Sequence, residues 1–233
     1  NGAGKTTTIE ILEGLKRPDE GEIEILGRSW ERDADGIRQR IGVQLQDTEL
    51  IDKMSVLETL RMFRSFYARG RDLDEVLGLV GLEEKRDAWV KNLSGGQKQR
   101  LTLGCALVSE PEVLFLVEPT TGLDPQARRR VWEIVEGFKR AGGAVLLTTH
   151  YMEEAERLAD DLAIVDHGVV IGRGSPAEIV ASLGAESIVE LRPREESAER
   201  LGALDLAGLP GVASARQEPG ALRLSGTGTQ APV

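Results

Sequence analysis

Between residues 113 and 166 the chain alternates short, mostly apolar runs with longer stretches of helical spacing. No other feature constrains the fold as much. A strand that reads VLFLV has no polar face. It therefore belongs inside a sheet covered on both sides, and such sheets are at least partly parallel. The pattern predicts strands at 113–117, 144–148 and 162–166, separated by helices at 126–140 and 152–158. Gly142-Gly143 stops the first of these helices. His167-Gly168 reads as a tight turn into a short strand at 169–171, and a last helix is expected at 176–183.

The upstream part is less regular. Helical spacing at 6–15 ends at Arg17-Pro18, and short strands are predicted at 22–26, closed by Gly27, and at 41–45. Ser55 with Glu58 three residues later forms a capping-box pattern for a helix at 55–68. Helical material continues over 72–80 as far as Gly81, and a long helix is expected at 95–107. The mostly helical segment from about 52 to 92 interrupts the alternation and is predicted to form a lobe. Beyond 187, Gly, Ala, Pro and Glu accumulate. Residues 187–191 and 221–224 suit strands of a small accessory module, and 226–233 is predicted to be loose.

Composition excludes some functions. A formal net charge of -10 disfavours binding to a phosphate backbone, so no nucleic-acid partner is expected. The single cysteine, Cys105, allows neither a disulfide framework nor a thiolate zinc cluster, so no zinc is expected. Among apolar neighbours it reads as a buried structural residue. No apolar run reaches membrane-spanning length and no signal peptide is recognised. These features fit a cytosolic protein whose membrane role would come through a partner.

The chain opens on NGAGKTT, the second half of a phosphate-binding loop. Gly2 and Gly4 let backbone N–H groups converge on a phosphate, Lys5 can neutralise its charge, and Thr6 offers a hydroxyl to Mg²⁺. The following helix presents its positive end to the anion. The pattern's first glycine would lie upstream of Asn1, so the chain is expected to begin inside the motif, without the strand that precedes it. A glycine-rich terminus with an incidental lysine is the plainer alternative. A second anion-binding device follows in LSGGQKQR, where Ser94 can cap a helix and Gly95 and Gly96 leave its first N–H groups open.

NGAGKTT, LSGGQKQR and VLFLVEPTTGLDP, in that order, resemble the Walker A loop, the signature, and the Walker B strand with D-loop of ATP-binding cassette proteins. The resemblance runs from Asn1 to about residue 183. It implies an α/β P-loop NTPase of the ABC ATPase type, with a mostly parallel core sheet, a helical subdomain and a partial C-terminal accessory module. The implied domains are an ATP-binding domain at 1–184, lacking its first strand and with its lobe at about 52–92, and a C-terminal extension at 185–233. ATP and Mg²⁺ are the implied ligands. Asn1, Gly2, Gly4, Lys5, Thr6 and Thr7 would line the phosphates, and Ser94, Gly95, Gly96 and Gln97 would reach a nucleotide held by the opposite subunit. Asp124 would organise that interface. Glu118 would polarise the attacking water, and His150, in TTHYMEEAE, would be directed at the γ-phosphate. Gln46, ending IGVQLQ, resembles the glutamine that senses phosphate and metal, with Thr6 as the other metal contact; Gln44 is the weaker candidate.

The segments around IGVQLQDTEL and TTHYMEEAERLADD resemble ATPase subunits of ABC-2-type exporters, the drug-resistance class included. The implied partners are a second copy or homologous ATPase subunit and a multi-span membrane permease. The implied location is cytoplasmic, at the inner face of the cell membrane. A hydrolysis-impaired homologue and a soluble non-transport cassette protein are the alternatives. The first is favoured by Val117, which stands where the family has an aspartate that helps hold Mg²⁺. No aromatic residue is assigned to stack on adenine: Trp30, Trp89 and Trp132 read as packing or interface residues. Glu153, Glu154 and Glu156 read as a solvated helix face, and His167 as a surface residue.

Overall fold

The computed structural model describes residues 3–45 and 48–182, and by their backbone path 187–191, 214–218 and 221–226. Asn1, Gly2, Gln46 and residues 227–233 therefore lie outside the described residues. The chain divides into two compact units, at Ile171 and Gly172.

The first unit is organised by a parallel sheet in the order β1–β2–β3, made of Ile41–Gln44, Val113–Val117 and Ala144–Thr148. Side chains alternate across a strand. In the central strand, β2, Leu114 and Leu116 are fully buried on one face, and Phe115 and Val117 are almost as buried on the other. Four helices cover the leucine face and share one apolar cluster with it: α3 (Val56–Arg64), α4 (Leu73–Val80), α5 (Gly95–Leu107) and α6 (Pro125–Arg140). On the opposite face Phe115 meets Ile25, Ile37 and Ile41, with α1 (Lys5–Leu12) and α2 (Trp30–Arg38) alongside. Both faces of β2 are covered, as its composition requires. β3 differs: it lies at the edge of the three strands, and its Leu146 is 39% exposed.

Local signals account for the helix boundaries. Ser55 Oγ accepts from Glu58 N while the Glu58 carboxylate accepts from Ser55 N, the reciprocal capping box. Asp72 caps α4, and Gly81 ends it in the left-handed conformation. α5 is buried all round from Leu101 to Leu107, so burial rather than amphipathic patterning holds it. It lies so close to β1 that a Cβ on Gly42 would meet the Ala106 carbonyl oxygen at 2.1 Å. Cys105 is buried there, and burial pushes its thiol well above the usual range.

Two predicted features are corrected. Residues 22–26 form no strand: Ile25 and Arg28 make one isolated bridge around Leu26 and Gly27, which both have positive φ, so the chain reverses before a ladder can extend. The acidic cluster is not uniformly solvated. Glu153 and Glu156 are exposed, but Glu154 is 0% exposed. Within α7 (Met152–Leu158), Glu154 and Leu158 lie one turn apart and both turn inward.

Two strands follow, β4 (Leu162–Asp166) and β5 (Val169–Gly174), paired through His167-Gly168. In the second unit α8 spans Pro176–Ser182, and three strands form an antiparallel sheet in the order β6–β8–β7. They are β6 (Ser187–Leu191), β7 (Ser214–Glu218) and β8 (Ala221–Gly226); β7 was not predicted.

Candidate functional site

A parallel sheet delivers the residues that follow its strands to one edge. Glu118 follows β2 and His150 lies two residues beyond β3, and their side chains meet there. Nδ1 of His150 is 3.3 Å from Oε2 of Glu118. The Glu118 side chain is only 11% exposed, whereas that of His150 is 46% exposed, so the imidazole forms the outer layer of the pair. Thr121 Oγ1 donates to the same carboxylate oxygen at 3.1 Å. Val117, buried beside Thr148 in the register, shares the face of Phe115, the side on which α1 packs. It brings no oxygen to that side.

α6 supports the His150 turn. The guanidinium of Arg128 lies 4.2 Å from the centre of the Tyr151 ring, and that ring lies 4.2 Å from the His150 ring. One turn further on, Trp132 Nε1 donates to Glu154 Oε1 at 2.8 Å. Asp124 begins this helix, its Oδ1 accepting from both Gln126 N and Ala127 N at 2.9 Å. One oxygen of the predicted interface aspartate is thus engaged as a helix cap.

Gly4 stands before α1 with φ 96°, a conformation open mainly to glycine, and no side chain caps the helix. The first-turn N–H groups therefore have no intrahelical acceptor. Lys5 is half-buried, Thr6 and Thr7 are exposed, and Lys5 enters no ion pair among the described residues. This end of α1 suits a phosphate: open N–H groups, a lysine without a carboxylate partner and an exposed hydroxyl. The same region suits a divalent cation less well, because Thr6 supplies one oxygen and Val117 none. Gly168 N donates to Ala3 O at 2.9 Å, so the β4–β5 turn supports the loop. His167 itself is exposed, as expected.

Ser94 caps α5 in a second capping box: Gln97 N donates to Ser94 Oγ, and Ser94 N donates to Gln97 Oε1 at 2.9 Å. The Gln97 side-chain oxygen is thereby engaged with its own helix, while among the described residues the Ser94 hydroxyl donates to no other group. Gly95 is open, and a Cβ on Gly96 would meet Ala127 at 2.8 Å, so this glycine permits contact with the first turn of α6. Among the described residues no hydrogen bond joins Ser94 to Glu118 or His150. α5 nevertheless reaches the edge, through Gln99 Nε2 donating to Pro119 O at 2.7 Å. Gln44 is buried on β1 with both amide atoms unpartnered among the described residues. Sequence reasoning missed Thr121, Gln99, Arg128 and Glu154. Only Glu154 carried a usable signal, its spacing of four from Leu158.

Comparison with known proteins agrees with this fold. A family model described as ABC transporter matches residues 1–121. The Nod factor export ATP-binding protein I of Cupriavidus metallidurans is 41% identical over 196 residues, 82% of this chain and 65% of that protein. The daunorubicin/doxorubicin resistance ATP-binding protein DrrA of Streptomyces peucetius is 40% identical over 215 residues, 88% of this chain and 65% of that protein. The chain thus spans slightly less than two thirds of either relative. A bacterial ABC transporter cassette solved as a dimer superposes with a TM-score of 0.67 at 26% identity, covering 76% of this chain and 82% of that one.

Proposed function

Because the chain belongs to the ABC transporter family, we propose that it is an ATP-binding and ATP-hydrolysing subunit that powers export through a separate multi-span permease. Two copies, or one copy and a homologous subunit, close around two ATP molecules. Each nucleotide lies between the α1 terminus of one copy and Ser94, Gly95 and Gly96 of the other. A relative of this fold solved as a dimer supports that arrangement. The names of the relatives favour export. The working location is the cytoplasmic face of the membrane; among the described residues no helix is long and apolar enough to cross it. Residues 1–184 form the ATP-binding domain and 185–233 an extension of it.

The observation that carries this reading is the meeting of Glu118 and His150, 3.3 Å apart, beyond two adjacent parallel strands. The Glu118 carboxylate polarises the attacking water and takes its proton. The water oxygen bonds to the γ-phosphorus, the bond from that phosphorus to the bridging oxygen breaks, and ADP leaves with its electron pair. His150 holds the carboxylate and faces the γ-phosphate, and Thr121 fixes the same oxygen. Lys5, Thr7 and the first N–H groups of α1 bind the phosphates together with Asn1, Gly2 and Gly4, and Asp124 shapes the interface. Mg²⁺, held by Thr6, Gln46 and phosphate oxygens, would offset the negative charge of the phosphate chain.

Val117 favours a second reading, in which nucleotide is bound and dimers form but turnover is slow. Both readings are tested by comparing the chain with Glu118→Gln. ATP turnover should fall on the order of a hundredfold or more in the variant, while ATP-dependent dimerisation, read by light scattering, persists. Equal turnover in both proteins would remove Glu118 from the reaction. A monomer at saturating ATP in both would remove the shared site.

A further inference from the structure

We propose that Glu154 is a positioning residue: through Thr120 it ties the turn carrying Glu118 to the helix that follows His150, and so sets the separation of that pair. The inference rests on the roles given above to Glu118 and His150. Glu154 and Thr120 are both 0% exposed. Glu154 Oε1 accepts from Thr120 Oγ1 at 2.9 Å and from Trp132 Nε1 at 2.8 Å. Thr120 stands two residues after Glu118, and Glu154 four residues after His150. A short covalent path therefore leads from each end of this tie to each member of the pair.

The Glu118 turn is held at both ends, and in between by Gln99 Nε2 donating to Pro119 O at 2.7 Å. On the strand side, Glu118 N donates to Thr148 O at 3.0 Å. On the far side the Thr120–Glu154 bond fastens it to α7, and Trp132 fastens the same oxygen to α6. Releasing Thr120 would remove the turn's side-chain link to α7 and leave the strand bond and the Gln99–Pro119 bond to hold it, so that the carboxylate can shift relative to the imidazole.

Packing alone does not account for a glutamate here. Burying a carboxyl group costs free energy unless both oxygens find donors. Oε2 of Glu154 has no partner among the described residues. An apolar side chain of similar volume would fill the contact between α6 and α7 without that cost. What it could not do is accept a hydrogen bond from the turn that carries Glu118.

The test uses Thr120→Val, which keeps the shape and removes the hydroxyl, Thr120→Ser, which keeps the hydroxyl, and Glu154→Leu. The chain has two histidines, so imidazole nitrogen NMR signals at one pH resolve His150 and leave exposed His167 as internal reference. Thr120→Val and Glu154→Leu should shift the His150 signals and leave those of His167 in place. They should lower kcat for ATP on the order of tenfold to a hundredfold, with KM within about twofold. Thr120→Ser should restore both readouts. Unchanged His150 signals in folded Thr120→Val protein would overturn the proposal, as would a Thr120→Ser protein impaired as badly as Thr120→Val. If Glu154→Leu does not fold, the threonine pair still decides. If the unsubstituted chain turns over no ATP, the proposed function fails, while the NMR comparison still decides on the tie.

Discussion

The backbone N–H of Glu118 donates to the carbonyl oxygen of Thr148 at 3.0 Å, one residue beyond the register pair Val117–Thr148. The ladder between β2 and β3 therefore continues to the edge where Glu118 and His150 stand. Immediately there, Glu118 turns to φ 48°, a left-handed conformation that residues with a Cβ seldom adopt. A hydrogen bond on one side and the start of a turn on the other hold it in place, with Thr121 N donating to Glu118 O at 3.2 Å. Such strain gathers at working sites, because a regular strand would point this side chain at a sheet face instead of along its edge.

The residue before it sets the first prediction. Val117 is 3% exposed on the side of the sheet that packs α1. Val117→Asp would add carboxylate oxygens on the side of β2 that α1 covers. It is expected to raise Mg²⁺-dependent ATP turnover by about tenfold or more. The same change buries a carboxylate in place of a methyl pair, at a cost of about 3 kcal/mol or more without nucleotide. Steady-state turnover and urea unfolding of both proteins check the two halves. A valine protein already as fast as the aspartate variant would mean that Thr6 and the phosphates suffice for the metal.

Much of this arrangement was legible in the sequence, for identifiable reasons. β2 and β3 are unbroken apolar runs, and α5 and α6 begin at strong caps, Ser94 and Asp124, so these elements needed no tertiary information. α2 was missed because its propensity is poor: it contains Gly36 and three acidic residues, and it owes its burial to Ile37. Residues 22–26 alternate as a strand should, but Leu26 and Gly27 reverse the chain before it finds a partner. Glu118 and His150 could be named from their neighbours in sequence. Their contact, and the part Glu154 plays beneath it, could not: its spacing from Leu158 marks Glu154 as inward-facing, but its partners Thr120 and Trp132 are set only when α7 packs against α6.

Gly42 tests how closely β1 and α5 approach. A Cβ there would lie 2.1 Å from the Ala106 carbonyl oxygen and 2.7 Å from Leu114 Cδ2. The backbone oxygen can yield only if α5 moves, and α5 is packed on all sides. Gly42→Ala should therefore destabilise the protein by about 3 kcal/mol or more. Gly137, inside α6, is the contrast: the nearest atom to its Cβ is the Arg140 guanidinium at 3.9 Å. Gly137→Ala should be neutral or stabilise by up to about 1 kcal/mol, because alanine loses less freedom in a helix. Paired urea titrations measure both. Equal effects would show that α5 yields to a methyl group.

Glu13 gives the chain a pH-dependent stability that owes nothing to nucleotide. It closes α1, is 6% exposed, and neither carboxyl oxygen has a partner among the described residues. Burial, with Glu10 nearby, raises its pKa from 4.5 to about 7. Between these values the folded chain holds a proton that the unfolded chain has released. The stabilisation is complete below about pH 4.5 and is lost as pH rises through about 7. With an allowance for partial hydration of the carboxyl, the loss should be on the order of 1–2 kcal/mol. Glu13→Gln keeps the shape and cannot ionise. Between pH 5 and 8 its stability should fall less than that of the unsubstituted chain, and the difference should develop mainly as pH rises toward 7. Urea unfolding at pH 5, 6.5 and 8 reads this directly, and parallel profiles for the two proteins would mean that the Glu13 carboxylate reaches water or a cation in the folded state.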